Sequence, residues 1–115
     1  MSTTLYGIKN CDTMKKAFKW LEANNINYEF HDYKKSGLPE DLAKDWLASE
    51  GWEQIINKRG TTWRKLDDDV KNSMNDTQAL AVMLDNPSII KRPLMIKDGE
   101  ITLGFKDADY QTIFS

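Results

Sequence analysis

Two short strand-like runs with one amphipathic stretch between them restrict the fold of this chain more than any other feature. Thr3–Ile8 (TTLYGI) is β-branched and aromatic and reads as a strand. Met14, Ala17, Phe18 and Leu21 then recur at helical spacing, with Asn10 as the expected N-cap and Asn24-Asn25 as the stop. Ile26, Tyr28 and Phe30 alternate with Asn27, Glu29 and His31, which predicts a second, half-buried strand. A strand, a helix and a strand in this order give parallel pairing through a right-handed crossover.

The rest of the chain adds to that frame. Ser36-Gly37-Leu38-Pro39 predicts the start of a helix that carries Leu42, Ala43, Trp46 and Leu47 and ends at Gly51. Trp52 to Leu66 is less regular and holds an Asn57-Lys58-Arg59-Gly60 turn. Two further helices are expected, roughly Asp67–Met74 and Thr77–Asp85, the second capped by Asp76 and stopped by Pro87. Leu94–Lys97 and Glu100–Leu103 flank Asp98-Gly99, a dipeptide suited to a type I′ hairpin, and Asp107 is expected to cap a last helix. This is an α/β chain: a thioredoxin-like four-stranded mixed sheet with helices on both faces. Residues 1–115 read as a single domain, with a helical insertion over about 37–86.

Composition excludes several classes of function. With 40% hydrophobic residues and four tryptophans in 115, the chain can bury one modest core. A net charge of -2 gives no nucleic-acid footprint, and the tryptophans do not alternate with a basic stripe. The longest apolar run, Ala79 to Leu84, is too short to span a bilayer, and the N-terminus lacks the apolar stretch of a secretion signal. One cysteine cannot form an intrachain disulfide, so a reducing cytoplasm is the expected location. A single histidine and a single cysteine leave no cluster with zinc spacing, and no bound cofactor is implied.

The one cysteine, Cys11, falls where a strand ends and a helix begins. Free N–H groups and the positive end of the helix dipole favour a thiolate there. Lys9, Lys15 and Lys16 support that charge and Asp12 opposes it. A lone cysteine can also be an inert core residue, and its position is what tilts the reading toward reactivity. Met14 occupies the place where a Cys-x-x-Cys partner would stand, so any reduction has to finish with an outside thiol such as glutathione, or with a partner protein.

Arginine is the second signal. Among thirteen lysines stand only Arg59, Arg64 and Arg92, and arginine grips an oxyanion or carboxylate in a way lysine does not. Arg64 reads as an ordinary surface ion pair. Arg59, in a turn beside Gly60, reads equally well as surface or site. Arg92 is the stronger candidate because it precedes Pro93 at a strand entrance, where an X-Pro bond in such a sheet is a candidate cis bond facing the cysteine. His31, on the polar side of its strand beside Asp32, reads as an exposed or capped structural residue.

Four separated motifs carry a resemblance: Tyr6 to Ala17 around Cys11, Asn57 to Thr62 around Arg59, Ile90-Lys91-Arg92-Pro93, and Leu103-Gly104-Phe105-Lys106. Together they resemble the arsenate reductase (ArsC) and Spx family, most of all its YffB-type members, over essentially the full chain. The resemblance implies a monothiol reductase in which Cys11 attacks an oxyanion or a mixed disulfide. Arg59, Arg92, Pro93 and Asn10 would then form the anion site, and glutathione or glutaredoxin would complete the reduction. The family's third arginine has no match; Lys106 stands nearest as a weak substitute without the planar fork. Asp12 also replaces a small residue, and both departures turn the expectation from arsenate toward glutathione-linked disulfides. The alternative within the same family is an Spx-like regulator that binds the RNA polymerase α-subunit, with no direct nucleic-acid contact. Such regulators typically carry the Cys-x-x-Cys pair that Met14 breaks.

Overall fold

The structure, a computed structural model, describes residues 2–115. The chain divides into two compact units, one formed by the residues up to Lys34 with Arg92–Ser115 and the other by Lys35–Lys91.

The first unit contains β1 (Thr3–Gly7), α1 (Asp12–Ala23), β2 (Glu29–Asp32), β3 (Leu94–Lys97), β4 (Glu100–Leu103) and α8 (Asp107–Ile113). The strands form one mixed sheet in the order β2-β1-β3-β4. β1 pairs parallel with β2 from Thr4↔Glu29 to Gly7↔Asp32, and antiparallel with β3 from Thr3↔Lys97 to Tyr6↔Leu94. β3 and β4 form the hairpin, turning at Asp98 (φ 51) and Gly99 (φ 85), the positive pair a type I′ turn requires. Leu5 and Met95 are cross-strand partners and face the same way; Met14, Ala17 and Leu21 of α1 and Tyr110 of α8 close over them. All six are fully buried. Both helices therefore cover the same face of the sheet. Around Tyr110 the rings of Phe105 (4.7 Å) and Trp20 (5.5 Å) stand edge-on, the arrangement ring quadrupoles favour.

The end of α1 explains why β2 is shorter than its hydrophobic alternation. Asn25 takes φ 57, its N–H donates to the Glu22 carbonyl (3.1 Å), and the Ile26 N–H donates to the Leu21 carbonyl (2.9 Å). This is a Schellman stop with asparagine in the left-handed position. Ile26 packs against the core from the helix end, and its N–H is unavailable to a ladder. Pairing starts only at Glu29.

The second unit is built from α3 (Glu40–Glu50), α4 (Trp52–Ile55), α5 (Thr61–Arg64), α6 (Asp68–Asn72), α7 (Asp76–Asp85) and a 3₁₀ turn at Pro87–Ile89, following α2 (Tyr33–Ser36), which spans the boundary. The sequence led to three helices in this region; the short α4 and α5 fall in the stretch read as irregular, because four residues are too few to show a period. α3 packs on α7, and Ala43, Trp46, Leu47, Ala79 and Met83 are buried. The expected cap of α7 shifts by one residue. Asn75 Oδ1 accepts the Gln78 N–H (2.9 Å), whereas Asp76 accepts the Trp52 N–H (3.0 Å) and so caps α4 instead. Asp107 likewise lies inside α8, with Lys106 at its N-cap.

Candidate active site around Cys11

The strand directions bring several loop ends to one edge of the first unit. β1 and β2 run parallel and end there, while β3 begins there, because Tyr6 pairs with both His31 and Leu94. The chain leaving β1 carries Asn10 and Cys11, the chain leaving β2 carries Tyr33, and the chain entering β3 carries Arg92 and Pro93. β4 also ends at this edge, since Leu103 pairs with Leu94, and leads through Gly104 to Lys106.

Cys11, not Asn10, is the N-cap of α1. Its backbone is extended (φ -127, ψ 130) and its carbonyl accepts the Lys15 N–H at 3.0 Å. Asn10 is exposed one residue earlier, so the expected cap is displaced by one position. The thiol makes no capping hydrogen bond of its own. As a thiolate, however, it is the acceptor that the free N–H groups at the helix start lack. Partial burial pushes the Cys11 thiol up, but the N–H groups of Met14 and Thr13, followed by the charge and hydrogen bonding of the Arg92 guanidinium, outweigh this and hold it below the ordinary thiol value. Asp12 is adjacent but solvent-exposed, and its charge does not reverse the balance.

Arg92 is half-buried and Pro93 buried, and the peptide bond between them is cis. The Pro93 carbonyl accepts the Gly104 N–H (2.9 Å), which ties the start of β3 to the segment leading to Lys106. Lys106 itself is exposed.

Arg59 belongs to the second unit and is exposed. Its turn is firmly held. Asn57 Oδ1 accepts the Arg59 N–H (3.1 Å), and the Asn57 N–H donates to the Ile89 carbonyl (2.8 Å) beside the Ile56↔Ile90 bridge. Next to it, Lys58 Nζ lies 4.7 Å from the ring centre of Trp52, which stacks on Trp63.

His31 has the packing contacts of a structural residue. It is half-buried, with its ring 5.1 Å from that of Tyr6 and 5.9 Å from that of Tyr33. Tyr33 was not singled out in the sequence, although it is buried and feels the Arg92 charge. The available signal was an aromatic residue in the otherwise polar stretch His31-Asp32-Tyr33-Lys34-Lys35. Among the described residues no group of three or more His, Cys, Asp or Glu side chains is placed to hold a metal ion, and no helix is long and apolar enough to cross a membrane.

The chain is similar in fold and sequence to several known proteins. The YFFB protein has the same fold with a TM-score of 0.94 and 42% identity, covering 99% of this chain and 100% of that one. An arsenate reductase (ArsC) related protein from Brucella melitensis is 50% identical with a TM-score of 0.82, covering 100% of this chain and 96% of that one. The global transcriptional regulator Spx of Listeria innocua is 29% identical over 106 residues, 90% of this chain and 80% of that protein. The model of the ArsC family matches residues 6–113, a span that takes in β2, β3, β4 and the end of β1, with Cys11, Arg59 and Arg92. With a mixed sheet flanked by helices and a single cysteine at the start of α1, the chain belongs to the ArsC family.

Proposed function

We propose that this protein is a glutathione-dependent monothiol reductase of the arsenate-reductase type, working in a reducing cytoplasm. The observation that carries the reading is a lone, half-buried thiol at the N-cap of α1 whose thiolate is favoured by the Arg92 guanidinium and by backbone N–H groups. On a mixed disulfide, the Cys11 thiolate attacks the glutathione sulfur. The substrate leaves as a thiolate, and Cys11 becomes joined to glutathione. A second glutathione thiolate then attacks that sulfur, releasing oxidised glutathione and restoring Cys11. The substrate disulfide gains two electrons, and two glutathiones end as one disulfide. Arg92 and the Pro93 segment hold the anionic part of the substrate in this reading, with Asn10 beside the nucleophile and Lys106 contributing charge alone.

The test is steady-state turnover with glutathione, with and without glutaredoxin, on a mixed glutathione disulfide, an oxidised protein and arsenate. Turnover of a disulfide that disappears in Cys11→Ser supports the reading; wild-type rates equal to those of Cys11→Ser on every substrate reject it. A second reading is favoured by the similarity to Spx over nine-tenths of the chain, namely binding to the RNA polymerase α-subunit. Retention of the purified α-subunit on immobilised protein, together with absent turnover, would put that reading first.

A further inference from the structure

Beyond Cys11, the solvent side of α1 carries Asp12, Lys15, Lys16, Lys19 and Glu22, all of them exposed. Residues 12, 15, 16 and 19 are three and four apart and so form one stripe. Lys15 stands one turn beyond Cys11, whose carbonyl accepts its N–H, and Lys19 one turn further. The stripe therefore leads away from the thiol for about 12 Å along the helix axis.

Helix stability does not account for these lysines. The helix dipole favours cations in the last turn, yet the last turn of α1 holds no basic residue and contains Glu22 instead. Glu22 accepts the Tyr28 hydroxyl (3.0 Å). Asp12 is four residues before Lys16, but among the described residues Lys15, Lys16 and Lys19 form no ion pair. The sequence suggests that Lys15 and Lys16 support the thiolate; in the structure the groups that favour it are the Met14 and Thr13 N–H groups and Arg92. Solvated cations of this kind act at longer range, drawing a negatively charged partner toward the thiol.

We propose that Lys15, Lys16 and Lys19 form a docking stripe for an acidic polypeptide, the protein whose mixed glutathione disulfide Cys11 attacks. The inference rests on the reductase reading of Cys11. In that exchange Cys11 takes the glutathionyl group and the polypeptide leaves as its thiolate, so the stripe recognises the departing chain. A polypeptide fits better than other polyanions because the stripe starts at a thiol, and a polypeptide brings the disulfide sulfur with its charge. Asp12 and Glu22 also bracket the lysines within about one turn, too short a run of charge to track a nucleic acid or a lipid surface.

Two synthetic peptides test this, each with one glutathionylated cysteine, flanked by glutamates in one and by glutamines in the other. The rate of glutathionyl transfer to Cys11 is followed by mass spectrometry for each. Dividing it by that peptide's rate with 2-mercaptoethanol removes the peptides' own difference in reactivity. Wild type is expected to favour the glutamate peptide about tenfold at low ionic strength, and to lose the preference in high salt. Lys15→Gln, Lys16→Gln and Lys19→Gln combined should abolish the preference while leaving the glutamine-peptide rate and Cys11 alkylation by iodoacetamide unchanged. Its thermal midpoint should be equal or higher, since glutamine is as good a helix former as lysine. Lys15→Arg, Lys16→Arg and Lys19→Arg combined should keep the preference. A wild type without preference, or a preference that survives the change to glutamine, overturns the docking stripe and leaves the reductase reading standing. Retention of wild type by single-stranded DNA or phosphatidylserine vesicles through these lysines, with no preference between peptides, likewise overturns it. No transfer from either peptide removes the reductase reading, and the stripe's role with it.

Discussion

At the scale of single residues, the Arg92 guanidinium favours the Cys11 thiolate in two ways, through its charge and through hydrogen bonding, after the N–H groups of Met14 and Thr13. Lysine at that position keeps the charge and loses the fork. Arg92→Lys is therefore expected to leave the Cys11 titration close to wild type while slowing turnover. Arg92→Ala should raise the titration and also slow turnover by about ten- to hundredfold, the range for loss of one charge-assisted hydrogen bond. A thiol titration and steady-state kinetics on both variants check this; equal effects of the two on the titration would mean that the charge is not what Cys11 senses. Cys11, Arg92 and Pro93 were legible in the sequence because each is a rare residue type in a telling position. Tyr33 was not, since nothing in His31-Asp32-Tyr33 tells a buried phenol from an exposed one. For His31 alternation gives a face but not the Tyr6 and Tyr33 rings that lie beside it.

Among the elements, the junction of β1 and α1 sets where the thiol can be. Gly7 is buried at the end of β1, and a Cβ there would lie 2.6 Å from Met14 Sδ and 2.9 Å from its Cε. The absent side chain lets α1 approach the sheet, and Met14 is fully buried in that space. The position that would hold a second cysteine in a dithiol motif is thus a core position here. Gly7→Ala is expected to destabilise the fold by about 1 kcal/mol, the low end for overpacking, because methionine is adaptable. In a Met14→Ala background, itself about 2–5 kcal/mol less stable, the same change should be nearly neutral. Urea unfolding of the four proteins gives the coupling, and simple additivity would contradict the close approach. The strands β3 and β4 and their turn could be read to the residue, since a two-residue loop with Asp-Gly admits few registers. Caps were less legible. Asn10, Asp76 and Asp107 are all good capping types, yet Cys11, Asn75 and Lys106 take those places. A polar residue beside a helix start can serve another element, as Asp76 does for α4.

For the whole molecule, the lowered thiol pKa links the chemistry of Cys11 to stability. A group titrating lower in the folded chain than in the unfolded one stabilises the fold above its unfolded value, about 8.5 for a thiol. That contribution is lost as pH falls through the lowered folded value. The stability difference between wild type and Cys11→Ser should therefore grow in favour of wild type as pH rises across this window, and level off beyond it. Urea midpoints under reducing conditions measure it, and a flat difference would mean that folding leaves the thiol unperturbed. Fold class was legible at this scale because strand order and crossover handedness follow from few rules. The number of helices in Lys35–Lys91 was not, since its short turns are set by packing and by caps distant in sequence. The central claim is that one thiolate, held by the start of α1 and by Arg92, carries the chemistry. The most direct measurement is the rate of Cys11 alkylation by iodoacetamide as a function of pH. The account predicts a midpoint below about 8.5; a midpoint at or above that value would contradict it.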